Sequence, residues 1–401
     1  MTKKSDTPAI RFKGFTDTWE QRKLGELVDR VVRKNTNNES TLPLTISAQY
    51  GLVDQITYFN NRVASRDVSN YYLVLNGEFA YNKSTSDGYP FGAVKRLDLY
   101  EKGVLSTLYI VFTPKKEQQI DSDFLTVFFD TDRWHKGVAE RAAEGARNHG
   151  LLNISAEDFF DIDLSVPKDI VEQKQIGAFI RQLDNLITLH QRKYDKLTNV
   201  KKSMLEKMFP KNGSNVPEIR FKGFTEAWEQ RKLGDVVKEI TRNDPESEAP
   251  IMMITANNGF IEQSERYAFN NAGESLKKYI LLKKGELAYN HGASKLRPYG
   301  SCFALTTAEN ARIPFVYHCF SAENQNAEFM SIELNGAEIE NQLRKIVSSG
   351  ARMDGLLNIS FDEYTSVSVL LPGTEEQDRI AEFFRQLDNL ITLHQRELEK
   401  L

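Results

Sequence analysis

The sequence predicts an α+β protein in which two mixed α/β domains form a tandem repeat, each followed by a long helix. Residues 181–192 read RQLDNLITLHQR, and the same twelve letters return at 385–396. The block RFKGFTDTWEQRKLG at 11–25 returns at 220–234 with thirteen of its fifteen positions identical. Around the repeated dodecamer, apolar residues recur in alternating steps of three and four, which is the spacing of a coiled-coil seam. An internal duplication therefore organises the whole chain.

The seam follows one stripe along each predicted helix. Its members are Ile176, Ile180, Leu183, Ile187, His190, Tyr194 and Leu197 in the first helix, and Ile380, Phe384, Leu387, Ile391, His394 and Leu398 in the second. Pairing the two seams within one chain avoids the entropy cost of recruiting a second molecule. We therefore expect an antiparallel two-helix coiled coil, pseudo-twofold symmetric, that separates the two mixed domains. An ordinary amphipathic helix on a globular core is the alternative, and the two histidines are expected to set the register of the pair.

The order of the repeated blocks sets the predicted domain boundaries. They are residues 1–167 for the first mixed domain with its flanking block, 168–209 for the first helix, 210–219 for a linker, 220–372 for the second mixed domain with its flanking block, and 373–401 for the second helix. In the first mixed domain the runs LPLTIS, YYLVL, EFAYN and LYIVF predict short strands, and residues 124–137 predict a helix. The linker prediction rests on the Pro, Gly, Asn and Ser content of PKNGSNVPE.

Composition limits the class of protein. The chain has 401 residues, of which 40% are apolar and 27% charged, as in globular proteins with real cores. No apolar run is long enough to span a membrane and the first residues do not resemble a signal peptide, so a cytoplasmic protein is expected. Cys302 and Cys319 lie in apolar surroundings and are expected to be buried free thiols rather than metal ligands.

Charge is unevenly distributed along the chain. The net charge of −4 is unfavourable for a nucleic-acid reader, whereas the segment 168–211 holds ten Lys or Arg against five Asp or Glu, a balance of +5. A DNA-binding chain of this composition would need a local positive surface, or positive charge supplied by partners.

The two copies differ in how much they have diverged. Aligning residues 41–84 with 249–292 gives twelve identities in forty-four positions, whereas the flanking blocks and helices are nearly unchanged. Matching flanking blocks and helices with divergent mixed domains indicate two tasks. The matching parts would dock two copies of one partner, and the divergent domains would bind two different ligands. Two different readers held apart suit a split, asymmetric target on DNA.

The arrangement resembles the specificity subunit of type I restriction-modification enzymes. The resemblance is carried by the order of flanking block, mixed domain and long helix, twice over, together with GARxxGLLNIS, the GE(F/L)AYN strand and EQxxI…QLD at the helix start. It covers essentially the whole chain. In that family the mixed domains are target-recognition domains, and each reads one half of a bipartite DNA site.

The resemblance implies partners rather than catalysis. The subunit itself would be non-catalytic. Two modification subunits, which methylate adenine with S-adenosylmethionine, would dock on the helical regions, and restriction subunits would add ATP- and Mg²⁺-dependent translocation and cleavage. No cofactor or metal is expected in this chain. A coiled-coil scaffold that binds two protein ligands without nucleic acid is the alternative function.

The sequence lacks several motifs that are typical of enzymes, which favours a non-catalytic chain. The sequence contains no GxxxxGK[ST] phosphate loop, no (D/N)PP(F/Y) motif of amino-methyltransferases and no nucleophile elbow. Its six histidines are scattered.

Candidate DNA contacts fall into two groups. Polar positions that match between the copies are expected to touch phosphates, which carry no sequence information, and Arg147 with Arg352 is the best such pair. Positions that differ beside a constant frame are expected to read bases, because amide, hydroxyl and cationic side chains recognise base edges. These are Gln49, Tyr50, Lys83, Ser84, Thr85, Ser86, Asn148 and His149 in the first copy, and Asn257, Asn258, His291, Ser294, Lys295 and Met353 in the second, with Arg96 and Arg297 as weaker additions.

Each candidate has a structural alternative. The two matched arginines could form salt bridges that hold their turns. Loop residues of the other types are commonly only solvated.

Overall fold

The computed structural model divides the chain into two compact units, residues Met1–Thr188 and Leu189–Leu401. It describes residues 8–47, 50–86, 88–142, 150–211, 213–256, 258–266, 273–347 and 356–401. The division falls inside one long helix. Among these residues, no helix is both long and apolar enough to cross a lipid bilayer.

The described residues of unit 1 form ten strands and the start of the first long helix. The strands are β1 (Glu20–Lys23), β2 (Val28–Val31), β3 (Leu44–Ser47), β4 (Gly51–Asp54), β5 (Tyr72–Leu75), β6 (Phe79–Asn82), β7 (Ala93–Arg96), β8 (Lys102–Leu105), β9 (Ile110–Pro114) and β10 (Asp163–Val166). The helices are α1 (Leu24–Leu27), α2 (Gln55–Phe59), α3 (Ser122–Phe129), α4 (His135–Arg141), α5 (Ala156–Phe160) and α6 (Ile170–Lys207), whose second half belongs to unit 2.

Unit 2 repeats this order after α6. Its strands are β11 (Glu229–Lys232), β12 (Val237–Glu239), β13 (Met252–Thr255), β14 (Gly259–Glu262), β15 (Ile280–Lys283), β16 (Leu287–Asn290), β17 (Ser301–Ala304), β18 (Asn310–Ile313), β19 (His318–Ala322) and β20 (Ser368–Leu371). Its helices are α7 (Ala327–Leu334), α8 (Ala337–Ile346), α9 (Phe361–Thr365) and α10 (Thr374–Lys400), with short 3-10 turns at Leu233–Asp235, Gln263–Glu265 and Gly273–Lys278.

Both units share one sheet topology despite their divergent sequences. Unit 1 has a four-stranded antiparallel sheet in the order β2-β9-β6-β7, with hairpin pairs β3-β4 and β5-β8, and unit 2 has β12-β19-β16-β17 with β13-β14 and β15-β18. A further pair joins each flanking block to the strand before the long helix, as β1-β10 and β11-β20. The predicted α+β class with two mixed domains is confirmed.

The central strand of each sheet is the shared AYN strand. Its first three residues are buried on both faces of the sheet, because Phe79 and Tyr81 lie in a core that includes α3 and α5, and Ala80 lies in the core formed with the hairpin pairs. The same division holds for the equivalent residues of unit 2, so alternation of polar and apolar residues is absent. In unit 1 the Tyr81 ring stacks on Phe159 at 4.3 Å, and in unit 2 Tyr289 stacks on Tyr364 at 3.9 Å. One aromatic stack therefore joins the sheet to the helix that follows the LLNIS letters in both copies.

The structure corrects the single helix predicted for residues 124–137. Two helices, α3 and α4, lie there instead, and the break contains Thr131, whose hydroxyl donates to the Phe128 carbonyl. The Trp134 indole donates to the Phe129 carbonyl and fills the interior of the break. Local side-chain bonds to the helix end compete with continuation of the helix at this point. The four strands predicted in this domain are present as β3, β5, β6 and β9, and both cysteines are free and buried.

A buried ion pair joins each flanking block to the first turn of its long helix. Arg11 binds Glu172 through two nitrogens at 2.6 and 2.7 Å, and Arg220 binds Glu376 at 2.7 Å through the same two atoms. The flanking blocks are nearly identical partly because each must supply an arginine whose guanidinium binds the equivalent glutamate of its helix through two nitrogens.

The neighbouring glutamine secures the same turn. Gln173 donates to the Pro167 carbonyl and accepts from the Asp121 amide, while Gln377 donates to the Pro372 carbonyl and accepts from the Asn326 amide. The Glu-Gln pair in each helix thus fixes the direction in which that helix leaves its strand.

Removing one partner of the buried pair is expected to destabilise unit 2. Glu376→Ala should lower the free energy of unfolding by about 3 kcal/mol, because it leaves the Arg220 charge, whose side chain is 13% exposed, without a counter-charge. Denaturant unfolding followed by circular dichroism measures this loss. The matched control is Glu309→Ala, which breaks the exposed pair with Lys284 and should cost less than about 1 kcal/mol. Equal losses in the two variants would contradict the role given to the buried pair.

Candidate functional site

In both units the loop after the AYN strand is tied to the LLNIS segment. We name residues 83–86 and 291–295 the post-strand loops, and residues 151–155 and 356–360 the LLNIS segments. Ser84 forms a β-bridge with Leu151 in unit 1, and Gly292 forms the equivalent bridge with Leu356 in unit 2. The fold therefore brings together stretches that lie about sixty-five residues apart in the sequence.

Several predicted DNA contacts lie outside the described residues. They are Gln49, Arg147, Asn148, His149, Asn257, Arg352 and Met353. The LLNIS segments begin just beyond the two GAR stretches. The hypothesis that the matched arginines touch phosphates stays a prediction.

The hairpin tips present the predicted residues Tyr50 and Asn258 to solvent. The Tyr50 amide donates to the Ser47 hydroxyl, and the Asn258 amide donates to the Thr255 hydroxyl, so the same side-chain cap closes both turns. The cap holds the backbone and leaves the tip side chains exposed. One tip thus offers a phenol and the other an amide on the same frame.

The post-strand loops also expose different side chains. Ser84 and Ser86 are exposed in unit 1, and the Thr85 hydroxyl donates to the Gly150 carbonyl. In unit 2 Ser294 and Lys295 are exposed. These positions could reach an external ligand without a change in the fold.

Arg96, Arg297, Lys83 and His291 are held by the protein itself. Arg96 is buried, pairs with Asp98 at 2.7 Å and Asp123 at 2.8 Å, and links β7 to α3. Arg297 donates to the Asn335 carbonyl at 2.8 Å. Lys83 donates to the Ile154 carbonyl, and both His291 ring nitrogens face backbone carbonyls. Their surroundings favour a structural role, and a contact with DNA by any of the four stays untested.

Within unit 2, α10 packs antiparallel to the second half of α6. The Nδ1 atoms of His190 and His394 lie 3.0 Å apart, Lys201 pairs with Asp388, and the rings of Phe209 and Phe384 lie 6.2 Å apart. As the residue number increases along α6, the number of the contacting residue in α10 decreases, so the two helices run antiparallel. The predicted antiparallel pairing is confirmed for this part of the helices.

The predicted seam coincides with the less exposed stripe of each helix. In α6 it contains the partly buried Ile176, Ile180, Leu183, His190, Tyr194 and Leu197, with Ile187 exposed, and in α10 the buried Ile380, Phe384 and Leu387 and the partly buried Ile391, His394 and Leu398. Ile176 packs on the core of unit 1, whereas Leu197 packs on the core of unit 2. Parts of the seam thus also cover globular cores, as the alternative interpretation expected.

The comparisons with known proteins agree with these features. Residues 16–199 match the family model described as the type I restriction modification DNA specificity domain. The type I restriction enzyme MjaVIII specificity subunit of Methanocaldococcus jannaschii is 24% identical over 376 residues, which cover 86% of this chain and 80% of that protein. In these stretches the chain is similar to specificity subunits of type I restriction enzymes.

One solved structure of a specificity subunit shares the fold. The type I S subunit from M. genitalium is 14% identical, with 98% of this chain and 95% of that chain covered at a TM-score of 0.51. The HsdS subunit from Thermoanaerobacter tengcongensis is 17% identical, with coverage of 95% and 91% and a TM-score of 0.39. The family model ends within α6, and the internal repeat identifies residues 220–401 as a second copy of the matched segment.

The described part of the chain shows no metal centre. No group of three or more His, Cys, Asp or Glu among the described residues could hold a metal ion. The buried thiols of Cys302 and Cys319 are poor nucleophiles, because burial raises the pKa of Cys302 to about 12 and raises that of Cys319 further.

Two structural features of this site were missed in the sequence. The pairs Arg11–Glu172 and Arg220–Glu376 could have been found, since both partners recur at matching positions of the repeat. The contacts of Lys83 and His291 with the LLNIS segments could not have been found in the sequence, because they depend on a backbone bridge between distant residues.

The histidine pair in the seam should make unit 2 sensitive to acid. Burial first, and then the charges of His190 and Lys193, lower the pKa of His394 below its usual value. The folded state therefore resists protonation, so the contribution of this pair is present above the usual histidine pKa and is lost as the pH falls. The double variant His190→Leu with His394→Leu should melt at a higher temperature than the parent chain, and the difference should be larger at pH 5 than at pH 7.5. Thermal melts of both proteins test this.

The exposed helix position Thr392 supplies a control. Thr392→Leu should shift the melting temperature equally at both pH values. A histidine double variant that shifts it equally at both pH values would show that the pair does not titrate in this range.

Proposed function

We propose that this chain is the non-catalytic DNA sequence-specificity subunit of a type I restriction-modification complex. Each mixed domain reads one half of a bipartite, asymmetric DNA site. The long helices set the spacer between the halves and dock two modification subunits. The observation that carries this function is a shared frame with different side chains: both units close the same hairpin tip and the same loop bridge, yet display different groups there.

Base reading is supported by the chemistry of the exposed loop positions. Unit 1 presents Tyr50, Ser84 and Ser86, and unit 2 presents Asn258 and Lys295. An asparagine amide bonds both N6 and N7 of adenine in the major groove, and a lysine ammonium bonds the acceptors of guanine. Unequal sets of this kind favour unequal half-sites, and the bridged backbones would hold them in register.

Part of the positive charge that binds DNA must come from the partner subunits. The net charge of −4 gives no general attraction for phosphates, and the positive balance is concentrated at residues 168–211. We therefore expect weak DNA binding by the isolated chain and tighter binding in the complex. S-adenosylmethionine, ATP and Mg²⁺ belong to the partner subunits in this scheme.

Docking of two equal partners is supported by the exposure of the repeated dodecamer. Ten of its twelve positions are exposed in α6 and nine in α10, including Leu186 and Leu189 in α6 and Leu390 and Leu393 in α10. These four leucines are 43%, 46%, 44% and 50% exposed. Packing within the chain constrains buried positions, so it does not account for identity at exposed ones. Leucines three residues apart on one helix face form an apolar patch that a partner helix could cover.

Removing one leucine pair should remove one partner. Leu390→Ser with Leu393→Ser is expected to reduce the assembly from two modification subunits per chain to one, because the apolar patch on α10 is lost while the patch on α6 remains. Native mass spectrometry of the complex, assembled with the modification subunit encoded with this chain, measures the stoichiometry.

A control variant separates docking from general surface effects. Leu99→Ser replaces a leucine outside the helices that is 62% exposed, more than either α10 leucine, and should leave two partners bound. Retention of two partners by the α10 variant would rule out the leucine pair as the contact.

Mapping methylated adenines tests the function as a whole. A strain that carries this chain together with its modification subunit should methylate a bipartite sequence with a fixed gap, and a strain without the chain should not. Filter binding of the complex to that sequence should weaken steeply as salt rises, since each phosphate contact releases a counterion. Salt-independent assembly without any methylated motif would favour the scaffold function instead.

A further inference from the structure

The loop between β16 and β17 exposes a leucine. Residues 291–300 connect the two strands, and Leu296 lies in this loop with 60% of its surface exposed. Among the described residues of unit 2 it is the most exposed of the large apolar side chains. A single exposed leucine is common on protein surfaces, so its surroundings decide whether it is placed to contact a ligand.

The backbone around Leu296 is held in a defined turn. The Ser294 amide donates to the Arg297 carbonyl at 3.1 Å, and the Arg297 amide donates to the Ser294 hydroxyl at 3.0 Å. Lys295 and Leu296 are therefore the two central residues of the turn, here called the loop tip. The Arg297 guanidinium donates to the Asn335 carbonyl at the end of α7 at 2.8 Å, which ties the turn to the domain. These bonds use neither side chain of the loop tip.

Unit 1 has the same loop with a different tip. The β6–β7 loop, residues 83–92, also has ten residues. In each unit the tyrosine of the AYN strand donates its hydroxyl to a carbonyl near the end of the loop, at 2.9 Å in unit 1 and 2.6 Å in unit 2. The residue equivalent to Leu296 is Gly88, whose φ is +78°. An apolar side chain is thus present at the tip of one unit and absent from the other, although both loops are closed in the same way.

The loop of unit 2 is cationic as well as apolar. Residues 291–300 include Lys295 and Arg297 and no aspartate or glutamate. Glu340 of α8 borders the same small cleft as Arg297, whereas Lys295 is exposed at the loop tip. A positive tip with an apolar side chain fits a ligand that is anionic and also carries apolar groups. DNA meets both conditions.

The shape of the loop fits the major groove. That groove admits a two-stranded β-ribbon, and the loop is the closed end of the antiparallel pair β16–β17. Most groups that the base edges present there are hydrogen-bond donors or acceptors, whereas thymine also presents its 5-methyl group. Leu296 has no donor or acceptor in its side chain. The thymine methyl is therefore the group on the base edges that matches it.

We infer that Leu296 is a specificity-determining residue that contacts the 5-methyl group of a thymine in the half-site read by unit 2. This inference rests on the proposed function and names the base chemistry that one residue recognises. The contact discriminates by burying the methyl group against the leucine, so it favours thymine over cytosine, which lacks that methyl. Unit 1, with a glycine at the equivalent position, makes no such contact.

A uracil scan tests the contact. Each thymine of the mapped bipartite site is replaced in turn by uracil, which keeps base pairing and removes only the methyl group. The dissociation constant of the complex with the modification subunit is measured for each DNA at one salt concentration. In the parent complex one uracil position, in one half-site, is expected to weaken binding about fourfold, as for one buried methylene-sized group. With Leu296→Ala, thymine and uracil at that position should bind equally.

Two further variants serve as controls. Leu296→Met keeps an apolar side chain at the loop tip and should retain the difference between thymine and uracil. Leu108→Ala removes a leucine from the turn between β8 and β9 of unit 1 that is 62% exposed, and it should leave the response at every position as in the parent. Thermal melts of the variants should match the parent, because both leucines are exposed.

The possible failures are distinguishable. A complex that binds its bipartite site but shows no uracil-sensitive position, or whose sensitive position is unchanged by Leu296→Ala, would overturn the leucine contact and leave DNA reading by the chain intact. A complex that binds no bipartite sequence would overturn the proposed function, and this inference with it.

Discussion

The structure depends on a buried arginine–glutamate ion pair in the first turn of each long helix, here called the fork. A guanidinium from the flanking block binds the carboxylate in the first helical turn, and the next residue, a glutamine, bonds backbone groups on both sides of it. Buried charges of this kind are costly unless both partners are present and well aligned. The fork therefore couples three pieces of sequence that must fold together: the flanking block, the strand before the helix and the helix itself. Glu172 and Glu376 occupy the same place in both copies.

Because the chain is duplicated, exposed loop side chains can differ between the two units while the backbone framework stays the same. The sheets, the hairpin tips and the loop bridges are the same in both units, because they are made by backbone bonds and a few stacked rings. Exposed side chains such as Tyr50 and Lys295 lie outside that framework and can differ. The side chains of Lys83 and His291 belong to it, and an ammonium in one unit and an imidazole in the other contact a carbonyl of the LLNIS segment.

Identity between the copies has two physical origins. In the flanking blocks much of it is explained by contacts inside the chain, such as the fork and the pairs Phe12–Phe179 and Phe221–Phe383. In the dodecamer it extends to exposed positions that contact little of the chain. Packing inside the chain does not explain this second kind of identity, and the difference between the two kinds appears only when burial is known.

The sequence by itself determined the duplication, the α+β class, the strands around AYN and the seam of the helices, because these follow from repeats and from periods of two and three to four residues. It did not determine where α3 and α4 separate, since local side-chain bonds compete with the helix there. Only the tertiary structure showed the partners of Arg96, Lys83 and His291 within the protein. The sequence does not reveal that Arg96 lies beside Asp123, or that Lys83 and His291 lie beside backbone carbonyls, because these contacts join residues that are distant in the sequence.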